Sequence, residues 1–111
     1  MDDEGRGEVG LVLERARFQP ADVIRGRVTS RRAVWAVDLV RVEASPTATL
    51  EFTAASATPL ADGAFALTVP EDAPPSVAGR RCSLVWRVRA RTSEYPQRSD
   101  ARRTLEIACP S

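Results

Sequence analysis

Apolar residues recur at every second position along much of this chain. In residues 81–91, RCSLVWRVRAR, Cys82, Leu84, Trp86, Val88 and Ala90 share one face, while Ser83, Val85, Arg87, Arg89 and Arg91 share the other. Side chains alternate across a strand, so this spacing predicts a strand with one dry side. GAFALTV (63–69) puts Phe65, Leu67 and Val69 inward, and DVIRGRVTS (22–30) puts Ile24, Gly26 and Val28 inward with Arg25 and Arg27 outward. Further strands fit 7–17, 49–54 and 101–108, and no helical stripe occurs anywhere.

The segment AVWAVDLVRVEA (33–44) breaks the rhythm, because Val34, Trp35, Val37, Leu39, Val40 and Val42 cannot lie on one side of a flat strand. Either a β-bulge near Asp38 shifts the phase, or both faces are partly covered. Turn residues fall at Gln19 to Asp22, Ser45-Pro46, Pro59 to Gly63, Pro70 to Gly79 and Tyr95-Pro96. Seven short strands separated in this way predict an all-β fold, a two-sheet antiparallel sandwich of the immunoglobulin-like kind. Matching dry faces also constrains pairing. If 81–91 pairs with 101–108, a residue sum of 191 sets Leu84 against Ile107, Trp86 against Leu105 and Arg89 near Arg102, and brings Cys82 beside Cys109.

Pro70, Pro74 and Pro75 then have a purpose. Proline fixes φ and donates no hydrogen bond, so VPEDAPPSVAG (69–79) suits a pre-ordered crossover from one sheet to the other, with Gly79 free to adopt an unusual backbone angle before the next strand.

Composition narrows the chemistry. One hundred and eleven residues, 43% hydrophobic and 28% charged, make one globular domain, and residues 1–7 are expected to be a flexible tail before a single sandwich over 8–111. The acidic start MDDEGRGE lacks the pattern of a signal peptide and no long apolar run is present, so no transmembrane segment and a cytoplasmic location are expected. All sixteen basic residues are arginine, a skew that fits a GC-rich genome. The net charge of +1 and the six aromatic residues argue against a nucleic-acid partner. With no histidine, the commonest general base and metal ligand is missing, and two thiols supply too few ligands for zinc. No enzyme activity, metal or cofactor is expected. The cysteines are read as reduced, packed apolar groups, with a cross-strand disulfide as the other option.

The run G-x-F-x-L-x-V-P-E-D-A-P-P-S-x-x-G (63–79), followed by SLVWRVRA (83–90), resembles the arrestin-like domain family, particularly its bacterial sporulation-control type. FQPADVIRGRV (18–28) is similar to that family's aromatic, Pro-Gly-Glu, Gly-x-Val pattern, with Ala21 and Asp22 in place of the Gly-Glu pair. The resemblance covers residues 8–108, but one sandwich where the family usually has two. It implies a non-enzymatic scaffold or adaptor that engages a protein partner, or a second copy of itself, through edge strands and loops.

Candidate contact residues follow. Arg87, Arg89 and Arg91 form an outward row, Arg25 and Arg27 a second pair, and guanidinium groups hold carboxylate or phosphate bidentately. The plainer alternative is a solvated face balanced by Glu51, Asp100 and Glu106. Tyr95, in the loop TSEYPQRSD, is a candidate contact, and Trp35 and Trp86 are expected core anchors. Two other functions compete with the adaptor: an immunoglobulin- or fibronectin-like building block of a larger assembly, and a sandwich that binds an anionic ligand.

Overall fold

A computed structural model describes residues 9–30, 34–92 and 101–108, and among them every regular element is a strand. They are β1 (Val9–Leu13), β2 (Arg17–Phe18), β3 (Val23–Ser30), β4 (Val34–Ala44), β5 (Thr49–Ala57), β6 (Ala64–Thr68), β7 (Val77–Ala78), β8 (Ser83–Thr92) and β9 (Ala101–Ile107). Seven of these match the strands expected from alternation. β2 and β7 are two-residue additions. The tail 1–7, Tyr95, Asp100 and Cys109 lie outside the described residues, as does the side chain of Trp35.

Two sheets form, a smaller one in the order β1-β3-β6 and a larger one in the order β2-β9-β8-β4-β5, with β7 on β8. All ladders are antiparallel except the short β2, which runs parallel to β9. The alternating residues meet between the sheets: Leu11, Ile24, Val28, Phe65 and Leu67 from the smaller, and Val37, Leu39, Trp86, Val88 and Leu105 from the larger. Burial of these apolar side chains is the main favourable term in folding.

The expected single strand over 7–17 is broken. β1 belongs to the small sheet and β2 to the large one, so Glu14 to Ala16 carries the chain across the sandwich edge. Phe18 then drops into the core, and Arg103 of β9 donates through Nε to the Leu11 carbonyl at 2.9 Å, tying the same edge from the other sheet.

After β2 the chain turns at Gln19 to Asp22. Asp22 N–H donates to the Gln19 carbonyl at 3.0 Å, and Asp22 Oδ2 accepts the Gln19 N–H at 2.8 Å. Ala21 takes φ of 73°, in the left-handed region where a glycine would carry no Cβ penalty. Proline at the second position and positive φ at the third are the signature of a type II turn.

β4 resolves its irregular pattern by burial on both sides. Its register with β8 is unbroken from Ala36 to Ala44, and Ala36, Val37, Asp38, Leu39 and Val40 are all buried. A bulge does fall near Asp38, opposite the step from Leu39 to Val40, but its extra residue is Ala54 of β5, so the phase of β4 is not shifted there; Trp35 is the extra residue of a second bulge, against β8.

The proline segment does cross between sheets, from β6 to β7 and β8. Its carbonyl at Pro74 accepts the Trp86 indole N–H at 3.0 Å, which satisfies the one polar atom of a ring that is 1% exposed. Ser76 mimics a strand partner: its N–H donates to the Ile107 carbonyl at 2.8 Å and its Oγ accepts the Ile107 N–H at 3.0 Å. This insertion corrects one pairing expectation. The residue sum of 191 holds for Trp86 with Leu105 and Arg89 with Arg102, but Leu84 pairs with Val77 rather than with Ile107. The neighbour of Cys82 is consequently Gly79, whose N–H donates to the Cys82 carbonyl at 3.0 Å. Cys82 is exposed and does not extend the dry face, which ends at the half-buried Leu84. Gly79 does not adopt positive φ; a Cβ there would lie 2.6 Å from the Cys82 carbonyl oxygen, so close approach is what it provides.

Candidate interaction surface

The outer face of the large sheet is organised by a residue that alternation alone does not single out. Asp38 sits at the centre of β4 with 0% exposure, flanked in register by Ser56 of β5 and Arg89 of β8. Ser56 Oγ donates to its Oδ1 at 2.6 Å and Arg89 Nη2 to its Oδ2 at 3.0 Å. Arg91 grips both oxygens, with Nη2 donating to Oδ1 at 3.2 Å and Nε lying 2.7 Å from Oδ2. Burial by itself would raise the Asp38 pKa. The hydrogen bonds from Ser56, Arg91 and Arg89 and the charge of Arg91 outweigh it, and hold the carboxyl below its ordinary value.

Two of the three arginines in the expected row are therefore anchored from beneath. Arg89 also reaches Glu51 Oε1 of β5 at 3.8 Å, so one carboxylate named in advance as a balancing charge is in place, while the principal one, Asp38, was not foreseen. Arg87 stands between Val40 and Thr104 in register, and Arg102 stands directly opposite Arg89. A signal for Asp38 did exist in the sequence: a lone carboxylate in the middle of AVWAVDLVRV requires buried cationic partners, and the arginine row of the next-but-one long strand supplies them.

Arg25 and Arg27 lie on the outward face of β3 in the small sheet, on the opposite outside of the sandwich, and both are exposed. Arg27 Nη2 is 3.8 Å from Asp62 Oδ2 in the turn before β6. The structure does not bring them together with Arg87, Arg89 and Arg91. The contact expected of Tyr95 lies outside the described residues.

A different surface opens at the far end of the large sheet's inner face. Beyond Trp86 the same face continues through Arg41, Glu43, Leu50, Phe52, Leu84 and Val77. Leu50 is 53% exposed, Phe52 40% and Val77 51%, whereas Val37, Leu39 and Val88 on the same face against the small sheet are buried. Arg41 lies over the Phe52 ring at 4.7 Å from its centroid and pairs with Glu43 at 3.0 Å. A cleft of about 440 Å³ lies alongside, between Leu50, Ala48 and Glu43 on one side and Val77, Cys82 and Leu84 on the other.

β5 borders this surface and forms one edge of the large sheet. It pairs with β4 alone among the described strands, and its other side carries no ladder. Over nine residues it holds a single ionisable side chain, Glu51. Its Ala55 and Ala57 end packs on the core and β5 contacts β6, while Thr49 to Thr53 is exposed.

No protein-family model matches this chain, and no curated protein is similar to it. No helix among the described residues is long and apolar enough to cross a membrane.

Proposed function

We propose that this chain is a non-enzymatic protein-interaction module of arrestin-like type, and that β5 is its contact element. The observation that carries the reading is the Thr49–Ala57 edge: nine residues, one pairing partner among the described strands, one charge, and exposed Leu50 and Phe52 on its inner face. An edge strand presents unpaired N–H and C=O groups, and proteins that avoid pairing usually blunt such edges with lysine, proline or inward charge. β5 has none of these; the bulge at Ala54 interrupts it only once. A partner strand added here would gain main-chain hydrogen bonds, with Leu50, Phe52 and the neighbouring cleft receiving its side chains.

The arrestin-like reading draws further support from the turn before β3. The position at which the family pattern has glycine is Ala21, and its φ of 73° is a conformation that glycine adopts at no steric cost.

The test places one charge on each face of the edge, Leu50→Lys with Thr53→Glu, at two exposed positions. Proteins retained from a native-host lysate by the immobilised wild-type chain should be lost by the variant, with its thermal unfolding unchanged. Equal retention by both would remove β5 as the contact element.

A further inference from the structure

We propose that the acidic segment Asp2-Asp3-Glu4 folds back over the arginines on the outer face of the large sheet and serves as an intramolecular cover for them. The register of β8 with β9 sets up a charge imbalance there. Arg102 of β9 stands directly opposite Arg89 of β8, and Arg87 lies two residues along on the same face. Like charges directly opposite are unfavourable, and an anion lying beside them relieves the repulsion. Asp38 and Glu51 meet Arg89, and Asp38 meets Arg91, but no ion pair reaches Arg87 or Arg102 among the described residues. Glu106, the remaining carboxylate on this face of β9, is 3.9 Å from Arg17. Four guanidinium groups thus share two carboxylates, and the shortfall falls on Arg87 and on the exposed Arg102.

The tether brings Asp2 to Glu4 to that shortfall. Residues 1–8 run into β1, which packs on β9 where the Leu11 carbonyl accepts from Arg103 Nε at 2.9 Å. Arg102 is the adjoining residue of β9, on the outer side. Asp2, Asp3 and Glu4 lie five to seven residues before Val9, an extended reach of about 17 to 25 Å, against about 10 Å between facing sheets. β2 pairs only with Glu106 and Ile107, so the rim of β9 beside Arg102 carries no other strand of the large sheet among the described residues, and the way to the outer face is open. The small sheet's Arg25 and Arg27 are a poorer match, with two guanidinium groups and Asp62 already 3.8 Å from Arg27. Carboxylates accept from guanidinium groups bidentately, which suits Asp and Glu to this face. Exposed ion pairs are individually weak, so a more acidic chain can displace the cover.

Paramagnetic relaxation enhancement in the full chain tests this. With Cys82→Ser and Cys109→Ser, a nitroxide on Gly5→Cys should broaden the backbone amides of Arg87, Arg102 and Thr104 more than those of Arg25 and Arg27. The broadening should fall at least about three-fold when Asp2→Asn, Asp3→Asn and Glu4→Gln are combined, and likewise in about 1 M salt, where the screening length is about 3 Å. All three substitutions precede β1, so the sandwich itself is untouched. Neutralising the segment should also tighten binding of a hexaglutamate peptide about five-fold, because apparent affinity scales with the fraction of the face left open. Broadening at Arg102 no greater than at Arg25, broadening that survives neutralisation, or an unchanged hexaglutamate affinity would each overturn the proposal. Equal broadening of an isotope-labelled chain by a separate nitroxide-bearing chain would overturn it too, by placing the segment on a second copy.

Discussion

Val37 and Leu39 on one face of β4, and Asp38 and Val40 on the other, are all nearly inaccessible, yet the two faces are dried by different means. The inner face is covered by a second sheet whose Ile24, Val28 and Leu67 meet it in the core. The outer face has no second sheet among the described residues; neighbouring strands supply side chains long enough to fold over it, with Arg89 and Arg91 drawn down onto a buried carboxylate. Arginine stems are apolar and their heads are charged, so a row of them can shade Val40 while the guanidinium groups face water or Asp38. The inner side is thus held by area, which is non-directional, and the outer side by a few directed bonds. Area tolerates reshaping at a graded cost, whereas the directed cluster depends on the one carboxylate that all its donors share.

That difference can be broken from either side. The largest effect is expected on the inner face: Leu39→Ala leaves a cavity between two rigid sheets and should cost about 4 kcal/mol, read as a shift in the denaturant midpoint. On the outer face, Asp38→Ala takes the buried carboxylate away from Arg89 and Arg91 and should cost about 3 kcal/mol, less than for a fully enclosed pair because the side chains of Arg89 and Arg91 are 23% and 25% exposed and can turn to water. A loss below about 1 kcal/mol would show the cluster to be no more than a surface ion pair.

The sign of the pH dependence sharpens the contrast. The folded Asp38 pKa is lowered, so its stabilisation is fully present above the unfolded value of about 4 and is lost as pH falls through the lower folded value. Wild-type stability should therefore decline more steeply below about pH 4 than that of Asp38→Asn, whereas Leu39→Ala should keep the wild-type acid slope. Parallel acid limbs for wild type and Asp38→Asn would contradict it. The smallest effect is expected for Ser56→Ala, about 1 kcal/mol, because two arginines still satisfy the carboxylate when one hydroxyl donor is removed.

The same division governed what could be read in advance. Strands with one wet face, such as 63–69 and 81–91, announce themselves, because a period of two is the direct imprint of a sheet that is covered on one side. β4 is covered on both, and its pattern was open to two readings until its neighbours were in place. Ile107 was expected against Leu84; the crossover instead donates from Ser76 and places Val77 there, an outcome set by where three prolines direct the backbone. The arginine row was visible as a row and Asp38 as a lone carboxylate in an apolar run, but their pairing was not, since Asp38 and Arg91 are 53 residues apart in sequence.

Alternation, turn residues and proline placement by themselves determined that this chain is two facing sheets joined by a stiff crossover, and restricted the last pairing to odd residue sums, among them the 191 that pairs Trp86 with Leu105. Those are local signals: each strand records which of its faces will be dry, and matching dry faces restricts the register. Only the tertiary structure decided which carboxylate the arginines would seize, which strand would be left at an open edge, and how far the small sheet would cover the large one. These depend on the relative lengths and offsets of strands distant in sequence, and no single segment carries that information.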